Sequence, residues 1–288
     1  MADIVHGATG AQGSPVLSAL TSAGRTAIAA VRHPETVPAG IAARQVDLAS
    51  ADSLAAAYEG ADGVFVHLPM GAAEAATAQA RAVVEAITRA RPGRVVISTS
   101  GQIVDQPGSP LQAPADSPIM RLIDGVTGSG VPTAVVAPRL YLENLLLPVV
   151  LGPVLEEGVL RYPLSASFPV SWSSHLDVAE VVTRLLTDDS PTTGTVGVGH
   201  LPGLTGPDLA MAFSSRLGRE VRFEAITPET FGELITPLFG PAAAPVVDLY
   251  RALNAQGGNT IGEDSSAQEV LGLRPRSIGQ WLEDLAVS

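Results

Sequence analysis

The segment Gly7-Ala8-Thr9-Gly10-Ala11-Gln12-Gly13 constrains this chain more than any other. It follows a short apolar run, Asp3–His6, and precedes a periodic stretch, Ser14–Ser22, that reads as a helix. A turn that leaves a strand and at once opens a helix aims free backbone N–H groups, and the positive end of the helix dipole, at whatever lies above it. Glycine lets such a turn bend tightly and lets its backbone approach a phosphate with no Cβ in the way. The combination implies a dinucleotide whose pyrophosphate rests on Gly7, Ala8, Thr9, Gly10, Ala11, Gln12 and Gly13.

The rhythm that follows suits such a site. Strands are expected at Asp3–His6, Thr26–Val31, Arg44–Val46, Gly63–His67, Arg94–Thr99 and Thr133–Ala137. Helices are expected between them near Ser14–Ser22, Ser53–Tyr58, Gly71–Arg89 and Ser117–Gly128. Alternation of this kind predicts an α/β fold, a Rossmann-like doubly wound parallel sheet. Gly63–His67 and Arg94–Thr99 are apolar on both faces, as strands covered by helices on both sides must be.

After Pro138 the pattern loosens, with prolines at 148, 153, 163 and 169. A dinucleotide-binding domain over 1–138 and a smaller α/β substrate lobe over 139–288 are expected, some elements of the latter returning to the main domain. The lobe should hold an apolar helix at Tyr141–Val150 and a helix from His175 to Leu186 capped by Asp177. A strand at Gly194–Val198, a helix at Pro207–Leu217 and a strand at Glu220–Ala225 should follow. Thr236–Pro245, rich in Pro, Gly and Ala, reads as a loop or flap, and Ser277–Leu285 as a closing helix anchored by Trp281 and Leu282.

Composition excludes several classes of function. The net charge is −12 and the basic residues form no stripe, which argues against nucleic acid. No apolar run approaches the roughly 18 residues of a membrane span. The N-terminus reads as a first strand rather than a signal peptide, so a cytoplasmic protein is expected. With no cysteine there is neither a thiolate nucleophile nor a cysteine metal site, and the five histidines are too scattered to predict a metal. All 17 basic residues are arginine; the absence of lysine excludes Schiff-base chemistry.

Arg32 ends the second expected strand, with no acidic residue beside it until Glu35. A carboxylate at that place would bind a ribose 2′-hydroxyl, whereas an arginine accommodates a 2′-phosphate. NADP(H) is therefore the expected cofactor. His67-Leu68-Pro69, ending the fourth strand, should run along its pyrophosphate and ribose, with His67 packed or ribose-adjacent rather than catalytic. Ser98-Thr99-Ser100 ends the fifth strand, where open α/β sheets present their ligands. Its hydroxyls could meet the nicotinamide or a substrate carbonyl, or could satisfy the backbone of a strand-ending turn.

The GxxGxxG spacing resembles that of the NmrA-like family of atypical short-chain dehydrogenases/reductases. Further stretches carry the resemblance: Val31-Arg32-His33-Pro34, Val46-Asp47-Leu48, and Val136-Ala137-Pro138-Arg139-Leu140-Tyr141-Leu142-Glu143-Asn144, in which Pro138 and Asn144 match. His175-Leu176-Asp177-Val178-Ala179 and the closing helix are similar too. The resemblance implies an adenine contact at Asp47-Leu48 and places Tyr141 and Asn144 near the nicotinamide. Thr99 or Ser100 would stand for the family serine. Tyr141 is the best-placed tyrosine for a proton donor, though core packing would also account for it. The tyrosine and lysine usual in short-chain reductases have no counterpart: no tyrosine falls in Ala113–Gly128, and the lysine often found there is replaced by Met120, followed by Arg121.

The resemblance thus implies an NADPH-dependent reductase of an activated carbonyl, enone or quinone-type molecule, hydrophobic or aromatic. A non-catalytic NADP-binding redox sensor and a non-redox enzyme on the same fold are the alternatives. A homodimer is left open.

Overall fold

The computed structural model describes residues 2–287. In chain order the first half runs β1 (Ala2–His6), α1 (Gly13–Ser22), β2 (Thr26–Val31), β3 (Ala42–Gln45), α2 (Ala51–Tyr58), β4 (Gly63–His67), α3 (Ala73–Ala90), β5 (Arg94–Ser98), α4 (Pro118–Gly128) and β6 (Thr133–Pro138). There follow α5 (Pro148–Glu157), β7 (Val159–Tyr162), α6 (His175–Thr187), β8 (Gly194–Val198), α7 (Gly206–Leu217) and β9 (Arg222–Ala225). The chain closes with α8 (Pro228–Phe239), α9 (Ala243–Asn254), α10 (Ala267–Leu271) and α11 (Ile278–Asp284). Among the described residues no helix is long and apolar enough to cross a membrane.

Two compact units share these elements. The first comprises 1–138, 175–197 and 267–273; the second comprises 139–174, 198–266 and 274–288. The first unit carries a seven-stranded sheet in the order β3-β2-β1-β4-β5-β6-β8. Every pairing from β3 across to β6 is parallel. Strand order reverses between β1 and β4, so their C-terminal ends open a crevice where such sheets bind ligands.

The strand residues alternate between two helical layers. Ile4, Val64, Val66, Val95 and Ile97 pack with Leu54, Tyr58, Val83, Ile87, Leu122 and Val126 of α2, α3 and α4. On the other face α6 lies against α1 and against β4, β5 and β6. Burying each such aliphatic side chain contributes roughly 1.5–3 kcal/mol. At the opposite edge from the crevice, the fully buried Asp3 carboxylate accepts from Arg25 Nε at 2.8 Å and Nη2 at 3.3 Å.

The second unit is built on a two-stranded parallel pairing of β7 with β9. Around it Trp172, Phe231 and Tyr250 gather on Tyr162, with ring centroids 5.5–5.8 Å from it. Leu145, Phe168 and Trp172 are buried as well.

Three expectations need correction. Tyr141–Val150 is not one helix: a 3-10 turn, Leu142–Leu146, gives way to α5 at Pro148. Proline excludes the residue before it from helical ψ, and Leu147 is extended at ψ 135°. Thr236–Pro245 is no flap but a helical corner, in which α8 runs to Phe239, a 3-10 turn covers Gly240–Ala242, and α9 begins at Ala243. Its Pro and Gly mark that corner, with Gly240 at φ +54° ending α8. Asp177 does not precede its helix, because α6 begins at His175; it is buried in the first turn, where a carboxylate favours the helix dipole.

Candidate dinucleotide site

The turn between β1 and α1 closes on itself through Gly10 N–H donating to Gly7 O at 2.8 Å, with Gly7 at φ +59°. A Cβ on Gly13 would lie 2.2 Å from Gly7 O and 2.5 Å from His6 O, so the helix can start against the strand end only with glycine there. Helix α1 has no side-chain cap and no acid in its first turn. Its positive end therefore faces outward without a local anion, which is the environment a phosphate requires. Thr9, Gly10 and Ala11 are exposed and Ala8 is buried beneath them.

His67, from the end of β4, closes one side of the turn. Its ring lies so near Gly7 that a Cβ there would meet Nε2 at 2.3 Å, and that Nε2 has no hydrogen-bond partner. Burial holds the His67 imidazole below its ordinary pKa, so it presents a neutral ring. Leu68 packs partly against the apolar core, and Pro69 is exposed. Beneath the turn, burial pushes His6 down to about 3. The Tyr58 hydroxyl, itself raised by burial, lies within hydrogen-bond distance of His6 Nε2 at 2.6 Å.

Arg32 is exposed at the end of β2, and its guanidinium makes no hydrogen bond or ion pair with any described residue. Such a free planar cation suits a phosphate monoester. Its carbonyl is held by Gln45 Nε2 at 3.2 Å. Asp47 shapes its own loop: Oδ1 accepts from Ala49 N–H at 2.9 Å, and its N–H donates to Ser53 Oγ at 3.0 Å ahead of α2. Leu48 packs partly against the core.

The end of β5 differs from a simple hydroxyl row. Ser98 and Thr99 are fully buried, and Thr99 Oγ1 has no partner. Ser100 adopts a left-handed φ of +55° and Gly101 follows at +88°. The side chain of Gln12 reaches across the crevice: Ser98 Oγ donates to its Oε1 at 2.8 Å, and its Nε2 donates to Ser100 Oγ at 3.0 Å.

Tyr141 and Asn144 belong to the second unit. Tyr141 lies beside Ser173 in an isolated bridge, and Asn144 N–H donates to Tyr141 O at 3.1 Å. The Asn144 side chain bonds the Tyr162 hydroxyl, which in turn pairs with that of Tyr250 at 2.5 Å. Among the described residues no group of three His, Asp or Glu could hold a metal ion.

Residues 4–282 match the profile of the NmrA-like family. The chain belongs to the NmrA-like family. Its relatives include the NAD(P)H azoreductase of Xenophilus azovorans, 31% identical over 249 residues that cover 83% of this chain and 82% of that one. Among solved structures, the Citrobacter triphenylmethane reductase complexed with NADP(H) superposes with a TM-score of 0.81 at 19% identity, covering 98% of this chain and 99% of that one. The NADPH-dependent quinone oxidoreductase of Escherichia coli, complexed with NADPH, gives 0.80 at 19% identity, covering 99% and 100%.

Helix α4 contains neither tyrosine nor lysine. Its Met120 packs partly against the core. Arg121 is exposed and donates from Nε to Asp116 O at 2.8 Å, at the start of its own helix. Sequence reasoning missed the amide bridge from Gln12, whose partners lie 86 and 88 residues away.

Proposed function

We propose that this protein is an NADPH-dependent reductase that transfers hydride to an activated, conjugated acceptor such as a quinone, an enone or a related aromatic molecule. The observation that carries the reading is the turn at Gly7–Gly13, whose uncapped helix start and glycine packing make a bed for a pyrophosphate. The unpaired Arg32 at the end of β2 supports NADPH over NADH. The activities named for the azoreductase and quinone oxidoreductase relatives support the acceptor class.

NADPH, when bound, supplies the hydride. The chain's own work is binding, alignment and exclusion of water. Gly7, Ala8, Thr9, Gly10, Ala11 and Gly13 present backbone to the pyrophosphate, Arg32 pairs with the 2′-phosphate, and His67 flanks the ribose side as a neutral ring. An acceptor whose product anion is delocalised needs a hydrogen-bond donor at its oxygen while hydride arrives, and the anion then takes its proton from water, so a serine hydroxyl suffices where a Tyr–Lys pair is absent. Ser100 fills that role in this reading, with Thr99 behind it. The first unit is assigned to the cofactor and the second to recognition of the acceptor.

The test follows the absorbance of NADPH with purified protein and a panel of quinones and enones. Turnover that is lost in Arg32→Ala supports the reductase. Tight NADPH binding without oxidation across the panel would replace it with a redox sensor. Tyr141→Phe is expected to leave turnover within about threefold; a loss beyond that would move proton delivery to Tyr141.

A further inference from the structure

The contacts of Gln12 form a closed circuit whose direction can be worked out. The Ser100 backbone N–H can only donate, and it does so to Ser98 Oγ at 3.2 Å. Ser98 is fully buried, so its hydroxyl proton needs an acceptor, and Gln12 Oε1 stands 2.8 Å away. That sets the amide: Oε1 faces Ser98, and Nε2 faces Ser100 Oγ at 3.0 Å as donor. The flipped amide would leave the buried Ser98 proton without an acceptor. Ser100 Oγ therefore receives a hydrogen bond and keeps its own proton, for which no described residue serves as acceptor. Left-handed backbone at a serine is disfavoured, and the circuit is what holds it there.

We infer that Gln12 is a positioning residue: it ties the phosphate turn to the end of β5 and orients the Ser100 hydroxyl outward as a hydrogen-bond donor. The same turn that seats the cofactor thereby sets the group that meets the acceptor. Each bond in the ring polarises the next, so the Ser100 proton is a better donor than that of an isolated serine. The role for Ser100 rests on the reductase reading; the clamp itself does not.

The test compares Gln12→Ala, Ser100→Ala and the double variant, read by backbone hydrogen exchange over Ser98–Gly101, by the NADPH dissociation constant, and by kcat with a soluble naphthoquinone. Gln12→Ala is expected to speed exchange of the Ser100 amide about tenfold. It should leave the NADPH Kd within about threefold and lower kcat about tenfold. In the Ser100→Ala background it should change kcat by less than about twofold, because no hydroxyl remains to orient. Unchanged exchange in Gln12→Ala overturns the inference, and so do kcat losses that multiply in the double variant. An NADPH Kd weakened more than about tenfold with kcat intact would make Gln12 a phosphate contact instead. A wild-type chain that binds NADPH but reduces no acceptor defeats the reductase reading alone; the exchange measurement still decides whether Gln12 holds Ser100.

Discussion

The turn after β1 and the turn after β5 lie at the same edge of one sheet and solve opposite problems. The first uses glycine to remove side chains, so that backbone alone approaches a ligand, with Gly7 at φ +59° and no room for a Cβ at Gly13. The second keeps its side chain: Ser100 sits at φ +55°, where glycine would be easier, and its hydroxyl is held by Gln12. A binding surface can be made by subtraction, and subtraction leaves a spacing that is visible in the sequence. A directed hydroxyl needs partners brought from elsewhere.

The comparison breaks most sharply at Gly13. Gly13→Val is expected to weaken NADPH binding by more than about a thousandfold, since the added carbons would drive into Gly7 O at 2.2 Å. Calorimetric titration beside a circular-dichroism melt separates lost binding from lost fold; near-native affinity would move the phosphate off this turn. Arg32→Ala should cost about 2–3 kcal/mol of NADPH affinity and leave NADH affinity nearly unchanged. Equal losses for the two cofactors would remove the 2′-phosphate from that side chain.

Acid separates the two turns in another way, because only the first stands on a buried histidine. The folded chain holds His6 at about 3, against an ordinary value of 6.5. Between those values the unfolded state binds the extra proton, so stability is full above pH 6.5 and falls as pH drops toward 3. From pH 7 to pH 5 His6 alone should remove about 2 kcal/mol. Urea unfolding of the wild type and His6→Gln at both pH values reads this as a difference, since His67, lowered by burial, and His175, lowered by burial to about 4, titrate in both proteins. Parallel losses in the two would mean that His6 takes up its proton without cost to the fold. The smallest effect belongs to the second turn: Ser100→Ala should lower kcat about tenfold with NADPH Kd unchanged. A change in Kd without one in kcat would place that hydroxyl on the cofactor.

Much of the first unit could be read from the chain because each of its features is local. A strand, a glycine turn and a helix follow one another from Ala2 to Ser22. The doubly apolar strands β4 and β5 announce cover on both faces. The second unit was less legible for a physical reason. β7 and β9 are four residues each, pair in parallel across a long stretch of chain, and carry no turn signal to join them. The α8–α9 corner contains Gly240 and Pro241, which mark a loop as readily as a break between helices.

The candidate site divides along the same line. The glycine turn at Gly7–Gly13 and the exposed position of Arg32 were legible because they depend on residue type and on place relative to a strand end. The side-chain bonds that Asp47 makes to Ala49 and Gln12 makes to Ser98 were not, since residue type alone does not say which partner a polar side chain meets. By itself the sequence determined the sheet, the place of the crevice and the sign of the charge waiting at β2. Only the tertiary structure decided that Gln12 meets Ser98 and Ser100, because parallel strands bring distant residues to one edge and hydrogen bonds form between neighbours in space.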